Sequence, residues 1–174
     1  MLNESHTFFG LETYQRLEQL EILDLKENEI SLIEPKSFES LDNLEELNLS
    51  ENQLSKIEEN SFQGLKQLKR LLLSGNQISS IEPKSFVGLD KLEELVLSGN
   101  QLSKIEENSF QGLKQLKRLY LGRNQISSIE PKSFQGLDIL EELYLSGNQL
   151  SKIEEIEIET TLFKDLKLLK KLNF

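Results

Sequence analysis

LEELVLSGNQLSKIEENSFQGLKQ, residues 92–115, is one complete turn of a pattern that fills most of the chain. Leu92 opens it, and Leu95 and Leu97 have the period-two spacing of a short half-buried strand. SGN follows as a turn, in which Gly99 supplies a backbone conformation that side chains resist. Asn100 sits among apolar positions and therefore points inward, where its amide must bond backbone groups of the turn. A buried amide without partners costs about 1–3 kcal/mol, so an asparagine column makes sense only as a hydrogen-bonded ladder. Leu102 and Ile105 continue the apolar side, and Phe110 with Leu113 closes the turn on its far face.

Six such units begin at Leu20, Leu44, Leu68, Leu92, Leu116 and Leu140, 24 residues apart. The asparagine recurs as Asn28, Asn52, Asn76, Asn100, Asn124 and Asn148, and the phenylalanine as Phe38, Phe62, Phe86, Phe110, Phe134 and, displaced, Phe163. Pro35, Pro83 and Pro131 stand two residues after the isoleucine in alternate units, which argues against a regular helix there and for a short turn. Repetition at this period is the mark of a solenoid, in which each turn packs only on its neighbours. The pattern LxxLxLxxNx(L/I)xxIxxxxFxxLxx resembles the 24-residue type of the leucine-rich repeat family, over roughly residues 14–174. That resemblance implies an α/β right-handed leucine-rich-repeat solenoid, with a parallel β-sheet on its concave face and short turns or 3₁₀ segments on its convex side. It also implies a non-catalytic module that binds a protein or peptide.

Within this frame the chain divides into a degenerate N-terminal repeat or cap (1–19), regular repeats (20–153) and an irregular last repeat (154–174). The last carries five extra residues within IEEIEIETTLF and an unfinished seventh strand. Two flavours of repeat alternate, so the unit of duplication is 48 residues. Residues 54–101 and 102–149 differ only at Leu72/Tyr120, Ser74/Gly122, Gly75/Arg123, Val87/Gln135, Lys91/Ile139 and Val96/Tyr144. Recent internal duplication and consensus design both produce such near-identity.

The bulk numbers agree with a solenoid. Hydrophobic content is 37%, and the exposed positions repeat as Glu, Lys, Ser and Gln. The net charge of −10 gives no reason to expect a nucleic acid or an acidic membrane surface as partner. With no cysteine, disulfides, zinc–thiolate sites and thiol nucleophiles are excluded. The cysteine-rich caps usual in secreted animal members of the family are therefore missing. The opening MLNESHTFFGLE has neither a basic start nor a long apolar run, so no signal peptide is read there and the compartment defaults to the cytoplasm.

Positions three and five of each repeat project from the concave sheet. Position three reads Ile22, Glu46, Arg70, Glu94, Arg118, Glu142 and Lys171, alternating in sign after the first. Position two alternates likewise through Glu45, Lys69, Glu93, Lys117, Glu141 and Lys170. Such alternation serves as scaffold chemistry between adjacent strands, and Arg70, Glu94, Arg118 and Glu142 are at the same time candidate binding residues of the concave face. Position five contains Leu72, Val96, Tyr120 and Tyr144 in succession, a continuous apolar stripe within a polar surface. Contiguous exposed apolar residues mark interaction sites, and tyrosine is a frequent anchor in them. Arg118 and Arg123 beside Tyr120 offer a fork for a partner's carboxylate.

At the N-terminus Phe9 falls at the usual isoleucine position and Tyr14 at the phenylalanine position, with Phe8 and Leu11 as further apolar residues. At the C-terminus Leu169, Leu172 and Phe174 lie on a strand with an open edge, a template for a homodimer. The second functional reading is accordingly a structural or self-assembling scaffold that dimerises through this end. No catalytic, metal or cofactor cluster emerges. The single histidine, His6, reads as a surface or turn residue of the N-terminal cap, the serines recur at repeat-fixed places without a histidine partner, and the acidic pairs Glu58–Glu59 and Glu106–Glu107 read as solvated surface rather than calcium loops.

Overall fold

The computed structural model describes residues 7–8, 17–150 and 162–174. In chain order its strands are β1 (Thr7–Phe8), β2 (Ile22–Asp24), β3 (Leu32–Ile33), β4 (Glu46–Asn48), β5 (Lys56–Ile57), β6 (Arg70–Leu72) and β7 (Ser80–Ile81). They continue as β8 (Glu94–Val96), β9 (Lys104–Ile105), β10 (Arg118–Tyr120), β11 (Ser128–Ile129), β12 (Glu142–Tyr144) and β13 (Lys171–Asn173).

The seven three-residue strands form one parallel sheet in the order β13-β12-β10-β8-β6-β4-β2. Register follows the repeat without slippage: Leu71 lies opposite Leu95, Leu95 opposite Leu119 and Leu119 opposite Leu143. The middle residue of each strand points inward, so a one-residue slip would put a leucine into water. This is the stacked solenoid with a parallel sheet that the leucine spacing predicts.

The core is a set of columns, one residue per turn. Leu47, Leu71, Leu95, Leu119 and Leu143 are fully buried, as are Leu73, Leu97 and Leu121 two residues further on. On the convex side Phe38, Phe62, Phe86, Phe110 and Phe134 stack ring on ring, with centroids 6.3, 6.1, 6.4 and 6.0 Å apart. Phe163 prolongs the column as a tilted ring 5.7 Å from Phe134, so the displaced phenylalanine does take the repeat position. Each fully buried Leu, Ile or Phe is worth about 1.5–3 kcal/mol relative to exposure, which offsets the entropy of ordering the chain.

The asparagine ladder is present. Asn52, Asn76, Asn100 and Asn124 are buried. Asn100 Nδ2 donates to the carbonyls of Leu73 (2.9 Å) and Leu97 (3.0 Å), while its Oδ1 accepts from the Ile78 amide (3.0 Å). Each rung thus ties its own turn to the turn before it. Asn28, in the first regular unit, is exposed and, among the described residues, bonds only its own turn, at the carbonyls of Leu25 and Lys26.

On the convex side the proline-marked segments are successive tight turns. Ser85 N donates to Glu82 O (3.2 Å), Val87 N to Lys84 O (3.0 Å) and Leu89 N to Phe86 O (3.2 Å). A serine column accompanies them: Ser37, Ser61, Ser85, Ser109 and Ser133 are buried just before each phenylalanine. Ser133 Oγ, for example, donates to the carbonyls of Ile105 and Glu130. Between the sheet and these turns lies a second set of pairings that the leucine pattern does not announce: β1 with β3, β5 with β7 and β9 with β11, all parallel.

One N-terminal expectation needs correction. β1 sets Phe8, not Phe9, opposite Ile33, so Phe8 occupies the isoleucine level of the preceding turn. The remaining expectations for the N-terminal cap (His6, Leu11, Tyr14) and for the insertion within IEEIEIETTLF fall outside the described residues.

Candidate functional site

The concave surface is built by the first and third residues of each long strand, which flank the buried middle leucine. On β10 these are Arg118 and Tyr120, and on β12 they are Glu142 and Tyr144. In-register pairing turns them into straight rows: Leu72 stands opposite Val96, Val96 opposite Tyr120, and Tyr120 opposite Tyr144. All four are half-buried, because each side chain leans on the next across the sheet.

The two tyrosine rings stack face to face, with centroids 4.5 Å apart and planes 10° from parallel. That separation matches the strand spacing, so the stack follows from identical residues in register. Lys171, on the neighbouring strand β13, places its ammonium over the Tyr144 ring, 4.7 Å from the centroid. The Tyr144 hydroxyl donates to Glu142 Oε2. The result is a column of ammonium, ring and ring. Beyond Tyr120 the row drops to the shorter side chains of Val96 and Leu72, which leaves the outer part of that ring standing above an apolar floor. Partial burial, then the Glu94 carboxylate and its neighbours, hold the Tyr120 phenol above the usual tyrosine range.

The charged row beside it is largely self-satisfied. Arg70 Nη1 contacts Glu46 at 2.6 Å and its Nη2 approaches Glu94 at 3.7 Å. Arg118 engages the same Glu94 carboxylate through Nε and Nη2, both at 2.8 Å. That hydrogen bond raises the Arg118 guanidinium pKa above its ordinary value. In the adjoining row Lys69 pairs with Glu45 (2.7 Å), Lys117 with Glu93 (2.9 Å) and Lys170 with Glu141 (2.9 Å). Exposed pairs of this type add little stability, but they consume the charges that a ligand would otherwise meet. Glu142 is the exception. Among the described residues it has no ion pair and accepts only the tyrosine hydroxyl.

Two sequence expectations change here. Arg118 is not a free fork, because the edge formed by its Nε and Nη2 is turned onto Glu94. Arg123 is not in the rows at all: it sits in the turn after β10 with φ of 54°, and its side chain forms no ion pair with any described residue. That turn position is Gly75, Gly99 and Gly147 in other repeats, with φ between 67° and 74°.

At the C-terminal edge, Leu169 packs partly buried against the core, while Leu172 (38%) and Phe174 (52%) are exposed. β13 pairs only with β12, so its outer side is open among the described residues. The described residues hold no cluster of carboxylates and histidines suited to a metal ion. No helix among them is long and apolar enough to cross a membrane.

A leucine-rich repeat family model matches residues 4–54, 18–78, 42–102 and 91–150. The chain belongs to the leucine-rich repeat family. Members of that family generally serve as protein–protein interaction modules. Among solved structures, a leucine-rich repeat protein of Leptospira interrogans is similar, at 34% identity and a TM-score of 0.72 over 90% of this chain and 38% of that one. A TLR13–ssRNA13 complex is similar at 29% identity and a TM-score of 0.67, over 92% of this chain and 25% of that one. The chain thus spans well under half of either solved leucine-rich repeat protein. Comparison with curated proteins gives no match.

Proposed function

We propose that this leucine-rich repeat chain is a non-catalytic binding module that grips a protein or peptide on its concave sheet, through Leu72, Val96, Tyr120 and Tyr144. The observation that carries the reading is the combination of a stacked tyrosine pair with an adjoining apolar step. The stack is rigid, because register and ring packing fix it, and it presents aromatic area at low entropic cost to a partner. Arg70, Glu94 and Arg118 are occupied with one another. They frame the stripe and supply register, while Glu142 keeps one carboxylate oxygen for a donor from the partner.

A protein or peptide fits this face better than a nucleic acid. The TLR13 structure shows that a similar fold occurs with RNA, yet here each cation of the concave rows from Glu45 to Glu142 has a carboxylate within contact distance. A polyanion would find no continuous basic track, and the net charge of −10 would repel it. No step of catalysis is assigned to the molecule.

The test is affinity capture with the wild type beside a Tyr120→Ala/Tyr144→Ala double variant. The expected result is a partner retained by the wild type and lost by the variant, with the circular dichroism spectrum unchanged. A partner retained equally by both would overturn the assignment of the face.

A further inference from the structure

We infer that the segment gripped by the concave face carries an aromatic side chain between a basic one, which Glu142 takes, and an acidic one, which Arg123 takes. This deepens the concave-face reading and rests on it. The first observation is where the two 48-residue units differ. Of the six differing positions in the later unit, four are Tyr120, Gly122, Arg123 and Tyr144. These lie together on β10, on β12 and in the turn after β10.

The second observation is which charges are left unpaired there. Glu94, at the same position one unit earlier than Glu142, is held between Arg70 and Arg118. Glu142 also has a cation on each neighbouring strand, Arg118 and Lys171, yet pairs with neither. Arg118 turns its Nε–Nη2 edge onto Glu94, and Lys171 places its ammonium over the Tyr144 ring. Among the described residues Glu142 therefore accepts only the Tyr144 hydroxyl. Arg123 has no ion pair among the described residues for a different reason. Its counterparts in the flanking turns are Gly99 and Gly147, which have no side chain to meet it. Its Cγ lies 3.4 Å from the point where a Gly147 methyl group would sit, so the side chain leans across the turn after β12, as Glu51 leans across Gly75.

Along the strand direction an unpaired carboxylate, the tyrosine stack and an unpaired guanidinium thus come in that order. Lys171 caps the stack on its Tyr144 side, so the Tyr120 face above Val96 is the one left for a partner's ring. A segment laid over β10 has Glu142 one strand to one side and the Val96 step one strand to the other, each about 4.8 Å away. Earlier turns offer no such bracket, because Glu46, Arg70, Glu94 and Arg118 pair among themselves.

A displayed library of random linear peptides, panned on the wild type, tests this. Enriched peptides are expected to carry basic, aromatic and acidic residues at one fixed spacing, and to lose binding to Tyr120→Ala/Tyr144→Ala. Synthetic versions with the basic and acidic residues exchanged should bind about 2- to 30-fold more weakly, the effect of losing two exposed ion pairs. They should recover on Arg123→Glu/Glu142→Arg. That variant suits the backbone, since Glu27 and Glu51 occupy the Arg123 position at φ of 57° and 55°, and Arg70 and Arg118 the Glu142 position. Peptides that need the tyrosines but tolerate the exchange, or exchanged versions that do not recover, would overturn the inference and leave the concave-face reading standing. Enriched peptides indifferent to the tyrosine substitutions, or no enrichment at all, would overturn both.

Discussion

Replacing Asn100 by alanine measures what holds one turn to the next. Three hydrogen bonds disappear, but they are not equivalent. The Leu73 carbonyl keeps a second donor in Asn76 Nδ2 (3.1 Å), and the Leu97 carbonyl keeps one in Asn124 Nδ2 (3.0 Å). Only the Ile78 amide loses its sole described partner, Oδ1 at 3.0 Å. A buried, orphaned N–H costs about 1–3 kcal/mol, and each of the two lost carbonyl bonds about 0.5–1 kcal/mol. The sum for Asn100→Ala is therefore roughly 2–5 kcal/mol. Asn28→Ala is the control. Its side chain is exposed, its two bonds to described residues are local and water replaces them, so its cost is about 1 kcal/mol or less. Urea titration of both variants, with the slope against denaturant unchanged, gives the comparison directly. Equal losses for the two asparagines would refute the ladder as the inter-turn tie.

Two further outcomes rest on single features of the structure. Gly99 has φ of 69°, and no atom lies closer than 3.6 Å to the point where a methyl group would sit, so Gly99→Ala should lose about 1 kcal/mol through backbone strain alone, read as a lower urea midpoint. Tyr120 titrates above the usual tyrosine value in the folded chain, so its contribution is complete below the unfolded tyrosine pKa and fades as pH rises through the folded one. Tyr120→Phe should accordingly flatten the alkaline fall in melting temperature, and an unchanged alkaline slope would contradict the burial argument.

The inward residues were readable because a solenoid repeats one environment. Leu95, Asn100 and Phe110 each recur at a fixed interval, and only the core explains that. The two-residue strands were not readable. Ser80–Ile81 is too short to show alternation, and its pairing exists only once turns have stacked. The buried serines were visible as a repeated Ser-Phe pair, but a serine before a phenylalanine has no period that distinguishes a bonded hydroxyl from a solvated one. At the candidate site the stripe of Leu72, Val96, Tyr120 and Tyr144 was legible from spacing. The fate of the charges was not. Arg118 has an acidic neighbour 24 residues away on either side, Glu94 and Glu142, and side-chain geometry rather than sequence gives it to Glu94. Lys171 over Tyr144 was hidden for the same reason, since its register partner is Glu142. Phe8 and Phe9, adjacent and identical, could be told apart only by a strand register.

Side-chain resonances followed during titration with the captured partner test the concave-face assignment most directly. The methyl signals of Leu72 and Val96 and the ring signals of Tyr120 and Tyr144 should shift together and saturate with one affinity, while Val87, exposed on the convex side, stays still. Shifts confined to Val87 and the convex turns, with the tyrosine rings unmoved, would place the binding face on the opposite wall.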